Sequence, residues 1–106
     1  MTPLTYEILL ALADADRHGY GIIKELEARL GLDSAPSTGA LYLALRRMEM
    51  DGLIAEAPVR ASDDARRRNY RITREGRSAA VAESTRLALL VKTARAKNLL
   101  PRRVDA

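Results

Sequence analysis

The 106 residues include no phenylalanine, no tryptophan and no cysteine. Leu, Ile, Val and Ala must therefore build the core, and Ala contributes little apolar area per residue. A chain of this length forms one domain with at most an appended element. A core this lean also predicts a second subunit to bury what one copy leaves exposed. Without cysteine there is no disulfide framework and no thiolate chemistry. No stretch approaches the ~18 apolar residues of a membrane span. The N-terminus lacks the basic and apolar segments of a secretory leader, so the chain is expected in the cytoplasm and off the membrane.

Charge is divided unevenly. Residues 1–57 carry five basic and nine acidic side chains, a net −4, whereas residues 58–106 carry thirteen basic and five acidic, a net +8. The basic half suggests a polyanionic partner, with nucleic acid first. A solvated basic face explains the same composition equally well.

The spacing predicts a helix over residues 3–14, with Thr2 as N-cap and Pro3 in the first turn. Leu4, Ile8, Ala11 and Leu12 fall on its apolar face. Asp14 to Gly19 reads as a turn. A second helix spans 20–30, where Ile23, Leu26 and Leu30 form the stripe with Ile22 beside it, and Gly31 ends it. After a short turn containing Pro36, a third helix runs over 37–51. Ser37 or Thr38 caps it, and Leu41, Leu45 and Met48 face the core. Its other surface carries Thr38, Gly39, Tyr42, Leu43, Arg46, Arg47 and Met50. Residues 53–57 and 68–73 are short strand candidates joined by a polar, arginine-rich loop. In the second strand Tyr70 and Ile72 face inward, and Asn69, Arg71 and Thr73 outward. A last helix spans 73–98. Ala80, Ser84, Leu87, Val91 and Ala94 line its stripe, widened by Ala79 and Leu90. Some 25 helical residues reach about 38 Å, longer than so small a domain can cover. The same helix of a second copy is the simplest cover.

The expected fold is therefore mainly α with a small β-hairpin: a winged helix-turn-helix over residues 1–75, then a C-terminal dimerisation helix and basic tail over 76–106. In a helix-turn-helix the later helix enters the DNA major groove and the earlier one crosses the backbone. Free N–H groups and the hydroxyls of Ser37 and Thr38 suit a phosphate, and Gly39 permits close approach. Tyr42 and Arg46 follow along the same side, with Arg46 the candidate to reach a guanine edge and Arg47 a phosphate. In the wing, Arg60, Arg66, Arg67 and Arg68 flank a loop able to reach phosphates or a narrow minor groove. Asp63 and Asp64 turn its tip.

Three stretches resemble the PadR-type transcription regulators: His18-Gly19-Tyr20-Gly21-Ile22; Ser37-Thr38-Gly39-Ala40-Leu41-Tyr42 leading to Asp51-Gly52-Leu53-Ile54; and Arg68 through Arg77. The resemblance implies a homodimeric repressor of the compact branch with one C-terminal helix. It also implies a pseudo-palindromic operator in double-stranded DNA, a possible small-molecule effector, and Tyr20, Ser37, Thr38 and Tyr42 at the DNA. Some compact relatives sandwich flat ligands between aromatic side chains at the dimer interface. The C-terminal helix of this chain has none.

The plainer readings stand beside these. His18, the single histidine, reads as a structural residue opening the second helix, because no partners for a metal site or triad accompany it. The carboxylate pairs Asp14/Asp16 and Asp63/Asp64 read as turn formers. Tyr42 borders the Leu41–Leu45 stripe and could equally pack in the core. Nothing resembles a catalytic cluster, so neither an enzyme nor a cofactor or metal is expected. The competing function is a protein-interaction adaptor on a winged fold, which would tolerate loss of Arg46 and the wing arginines.

Overall fold

A computed structural model of the chain describes residues 1–58 and 67–101. Arg60, Asp63, Asp64 and Arg66 of the wing, with Arg102 and Arg103 of the tail, lie outside the described residues. The element order is α1 (Pro3–Leu12), β1 (Arg17–His18), α2 (Gly19–Leu30), α3 (Thr38–Met50), β2 (Ile54–Ala57), β3 (Asn69–Ile72) and α4 (Arg74–Ala96).

Local chemistry sets most of the boundaries. Thr2 Oγ1 accepts from Thr5 N at 3.1 Å, and Pro3 supplies a first-turn residue that needs no donor. Ser37 Oγ accepts from Ala40 N at 3.2 Å, which decides between the two capping candidates of α3. Past Met50 the chain closes in a Schellman arrangement. Gly52 N donates to Glu49 O and Leu53 N to Met48 O, with Gly52 at φ 78°. The end of α4 repeats it with Asn98 at φ 60°, where Leu99 N donates to Ala94 O at 2.8 Å.

The first helix stops at Leu12, two residues short of the sequence expectation. Side chains take up its last carbonyls: Arg17 Nε donates to Ala11 O at 2.7 Å and Arg77 Nη2 to Ala13 O at 2.8 Å. The segment read as a turn also holds β1, which pairs with β3 through Arg17↔Tyr70 and His18↔Asn69. Two residues carry no alternation to detect, and their partners lie some fifty positions away. The sheet is antiparallel in the order β1-β3-β2, with Ile54 opposite Ile72 and Ala57 opposite Asn69.

The core is aliphatic, as the composition requires. Ile8, Leu9, Leu12, Ile22, Leu26, Leu41, Leu45, Met48 and Ile54 are fully enclosed, with Tyr70 closing the sheet side. The helical stripe does not single out Leu9; α1 is covered by α2 on one side and α4 on another, which widens its buried face. Asn69 corrects the alternation read in the last strand. It is buried rather than outward-facing, and its amide donates to Pro58 O at 3.5 Å. The central strand is covered on both faces at that end.

Only the first turns of α4 join this core. Gly76 is buried against Leu53, Ala80 packs on the core, and the Tyr6 hydroxyl bonds to Ser84 Oγ at 2.6 Å. Beyond Ser84 the helix runs out past the domain, giving overall extents of 51 × 29 × 23 Å. Leu87 and Ala94 are half-buried, whereas Leu89, Leu90 and Val91 are exposed.

Candidate nucleic-acid interface

The face opposite the core of α3 presents Ser37, Thr38, Gly39, Tyr42, Arg46 and Arg47, all exposed. Arg46 and Arg47 make no hydrogen bond or ion pair among the described residues. Elsewhere arginines are committed to the fold: Arg29 Nη1 meets Glu7 Oε1 at 2.7 Å and Arg77 holds the end of α1. A Cβ built on Gly39 would meet nothing within 4 Å, so this turn of α3 is open to a ligand.

Tyr42 is not a core residue. Its side chain lies across the start of α2 and stays 44% exposed. The close approach depends on Gly19, where a Cβ would stand 2.7 Å from the Tyr42 ring. The His-Gly pair therefore has a mechanical role: Gly19 admits the tyrosine of the neighbouring helix.

His18 caps α2, its Nδ1 accepting from Gly21 N at 3.0 Å. Its ring stacks on Tyr20, with centroids 6.3 Å apart and planes 16° off parallel. Tyr20 is 52% exposed and bracketed by cations, with Lys24 Nζ 5.2 Å and the Arg67 guanidinium 5.9 Å from the ring centre. Lys24 is held above the ordinary lysine value, first by its hydrogen bond with Tyr20 and then by the charge of Glu27. His18, Gly19, Tyr20, Tyr42, Arg67, Arg68 and Tyr70 line an open cleft of about 330 Å³. An adjoining hollow, reached past Tyr42, is lined by Arg46, Glu49, Met50 and Arg68.

Arg68, expected at the DNA, is engaged within the protein. Its Nη2 lies 3.1 Å from Glu49 Oε2 and 3.5 Å from Glu56 Oε2, and its guanidinium sits over the Tyr70 ring. Glu49 is on α3 and Glu56 on β2, so Arg68 fastens the base of the wing to α3. The structure thus gathers Tyr20, Tyr42, Arg46, Arg67 and Arg68 on one face, with Ser37, Thr38, Gly39 and Arg47 further along α3. Sequence reasoning did not place His18 and Lys24 there. The helical spacing of Tyr20 and Lys24 was the available signal for the second of these.

Among the described residues no group of three His, Cys, Asp or Glu is placed to hold a metal ion, and no helix is long and apolar enough to cross a membrane.

Two helices joined by a short turn, a three-stranded wing and an exposed basic reading surface define a winged helix-turn-helix transcription regulator. The sequence profile of the Transcriptional regulator PadR-like family matches residues 8–82, and the chain belongs to that family. Solved structures agree. A PadR family transcription regulator from Clostridium difficile R20291 superposes with a TM-score of 0.76 at 26% identity, covering 89% of this chain and 96% of that one. A transcriptional regulator from Clostridium thermocellum gives 0.73 at 28% identity, over 87% and 86% of the two chains. Bacillus subtilis PadR, solved in complex with operator DNA, shares the fold with a TM-score of 0.66 at 21% identity, over 76% of this chain and 46% of its own. No curated protein matches the sequence.

Proposed function

We propose that the chain is a homodimeric, sequence-specific repressor that acts in the cytoplasm on a pseudo-palindromic operator. Residues 1–75 form the DNA-binding unit and 76–106 the dimerisation element. The observation that carries the reading is the exposed, internally unengaged face of α3 from Ser37 to Arg47, beside a wing whose base is fastened to it. In the major groove, Arg46 reads a guanine edge and Arg47 meets a phosphate, while the N-terminus of α3 seats another phosphate through Ser37 and Thr38. Gly39 lets the backbone approach. Tyr20, Tyr42, Arg66 and Arg67 meet the DNA backbone, and Arg68 positions the wing. Such a protein does no covalent chemistry.

Leu90 and Val91, exposed in one chain, meet the same helix of a second copy together with Leu87 and Ala94. The dimer sets two α3 helices about 34 Å apart, one turn of DNA. A gel-shift assay with the DNA upstream of the protein's own gene tests the reading. We expect that fragment to be bound far more tightly than an unrelated duplex, with affinity falling ~10³–10⁵-fold between 50 and 200 mM salt if ~6–10 phosphates are met. Equal, weak binding to every duplex would sink specific regulation. Absence of any binding would favour the protein-interaction adaptor.

A further inference from the structure

We infer that His18 and Arg67 form a two-donor clamp for a single DNA phosphate, at the point where α2 and the wing meet. The inference rests on the DNA-binding reading above and adds to it a site on residues outside α3.

Two donors meet at this point. Arg67 Nη1 lies 3.2 Å from His18 Nε2, a distance that would suit a hydrogen bond if the imidazole nitrogen could accept. The other ring nitrogen decides whether it can. Nδ1 accepts from the backbone N–H of Gly21 at 3.0 Å, and that donor is fixed in direction by the helix. A neutral imidazole accepting at Nδ1 carries its proton at Nε2. Nε2–H and the arginine N–H therefore face each other as two donors with no acceptor between them. A single acceptor within reach of both satisfies the pair, and the strongest such acceptor is an anion.

The surroundings select the kind of anion. The cleft beside the pair is open and lies on the same face as Tyr42 and Arg46. Stacking on Tyr20 fixes the imidazole plane, and Lys24 adds a second positive charge beside that ring. No described carboxylate pairs with Arg67. Arg68, one residue away, is already taken by Glu49 and Glu56. A backbone phosphate of duplex DNA running past the N-terminus of α2 presents two free oxygens, one for each donor. The site rests on these two side chains, and the helix terminus contributes only by fixing the tautomer.

The test is a double-mutant cycle on the full chain with a short mixed-sequence DNA duplex at low salt, since phosphate contacts do not depend on sequence. His18→Ser keeps a capping oxygen for Gly21 N and removes Nε2–H. We expect it to weaken duplex binding about tenfold while thermal melting stays close to wild type. Arg67→Ala weakens binding by a similar factor and lowers the salt slope by about 0.9. The double variant loses clearly less than the product of the two single losses, because both donors serve one phosphate. In the free wild-type protein, imidazole nitrogen shifts place the His18 proton on Nε2.

Losses that multiply, wild-type affinity in His18→Ser, or a proton on Nδ1 would each overturn the clamp while leaving DNA binding intact. Saturation of the His18 shifts by micromolar inorganic phosphate, without displacement of bound duplex, would reassign the site to free phosphate and overturn it also. Failure of the wild type to bind duplex at all would overturn the DNA reading and the clamp with it.

Discussion

Replacing Gly76 with alanine tests how α4 is seated. Gly76 lies in the first turn of α4, where alanine would ordinarily favour the helix by about 1 kcal/mol. Here a Cβ would run into the carbonyl oxygen of Leu53, and would stand 2.9 Å from the Leu53 carbonyl carbon and 3.1 Å from Ile72 Cγ1. The obstacle is backbone, so no rotamer change relieves it. Either α4 lifts or the start of β2 moves. Both strain the hydrogen bonds that seat the helix: Thr73 N to Leu53 O at 3.1 Å and Thr73 Oγ1 to Gly52 O at 2.6 Å. Overpacking of about 1–3 kcal/mol and two bonds of about 1 kcal/mol each oppose the helix gain. The net loss is about 2–4 kcal/mol, a fall in Tm on the order of 10–20 °C for a domain of this size. Gly39→Ala is the counterpart. It too is helical, with open space around it, and should gain about 0.4–1 kcal/mol. Urea unfolding at one fixed protein concentration measures both. If Gly76→Ala were as stable as wild type, α4 could not be packed directly on the Leu53 backbone.

Ser37→Ala removes the cap of α3 and should cost about 1 kcal/mol by urea unfolding; an unchanged midpoint would mean that water replaces the cap without loss. Arg46→Ala should relax sequence preference in a binding selection, whereas Arg67→Ala should weaken all duplexes alike; the reverse pattern would exchange the roles of α3 and the wing. Light scattering should give twice the 11.7 kDa chain mass, and Leu90→Glu should return it to a single chain; a wild-type monomer at micromolar concentration would refute pairing through α4. Burial pushes the Tyr70 phenol above its ordinary value, with the Arg68 charge opposing it less strongly. A folded value above the unfolded one leaves stability intact below pH ~10 and lost as pH rises through that range. Tyr70→Phe should therefore flatten the alkaline limb of stability against pH, and an alkaline limb identical to wild type would show that Tyr70 does not cause it.

The sequence alone determined what depends on neighbours within a few positions. Thr2, Ser37 and Thr73 cap the helices they precede, and Gly31 and Gly52 end the two before the wing, because capping is a contact between residues close along the chain. The aliphatic stripe of α3 was legible for the same reason: Leu41, Leu45 and Met48 recur at the helical period. The family was legible through three short stretches in a fixed order. Tertiary structure alone decided what depends on residues far apart in the chain. The strand at Arg17–His18 exists because β3 lies alongside it, and Asn69 is buried because cover arrives on its face. Tyr42 leaves the core because Gly19, on another helix, has no side chain to stop it. Arginines that look alike in sequence were sorted only by folding. Arg17 and Arg77 cap α1, Arg68 fastens the wing, and Arg46 and Arg47 remain exposed and internally unengaged. A charge is free or committed according to what stands within a few ångströms of it, and for these residues that neighbourhood is assembled from distant parts of the chain.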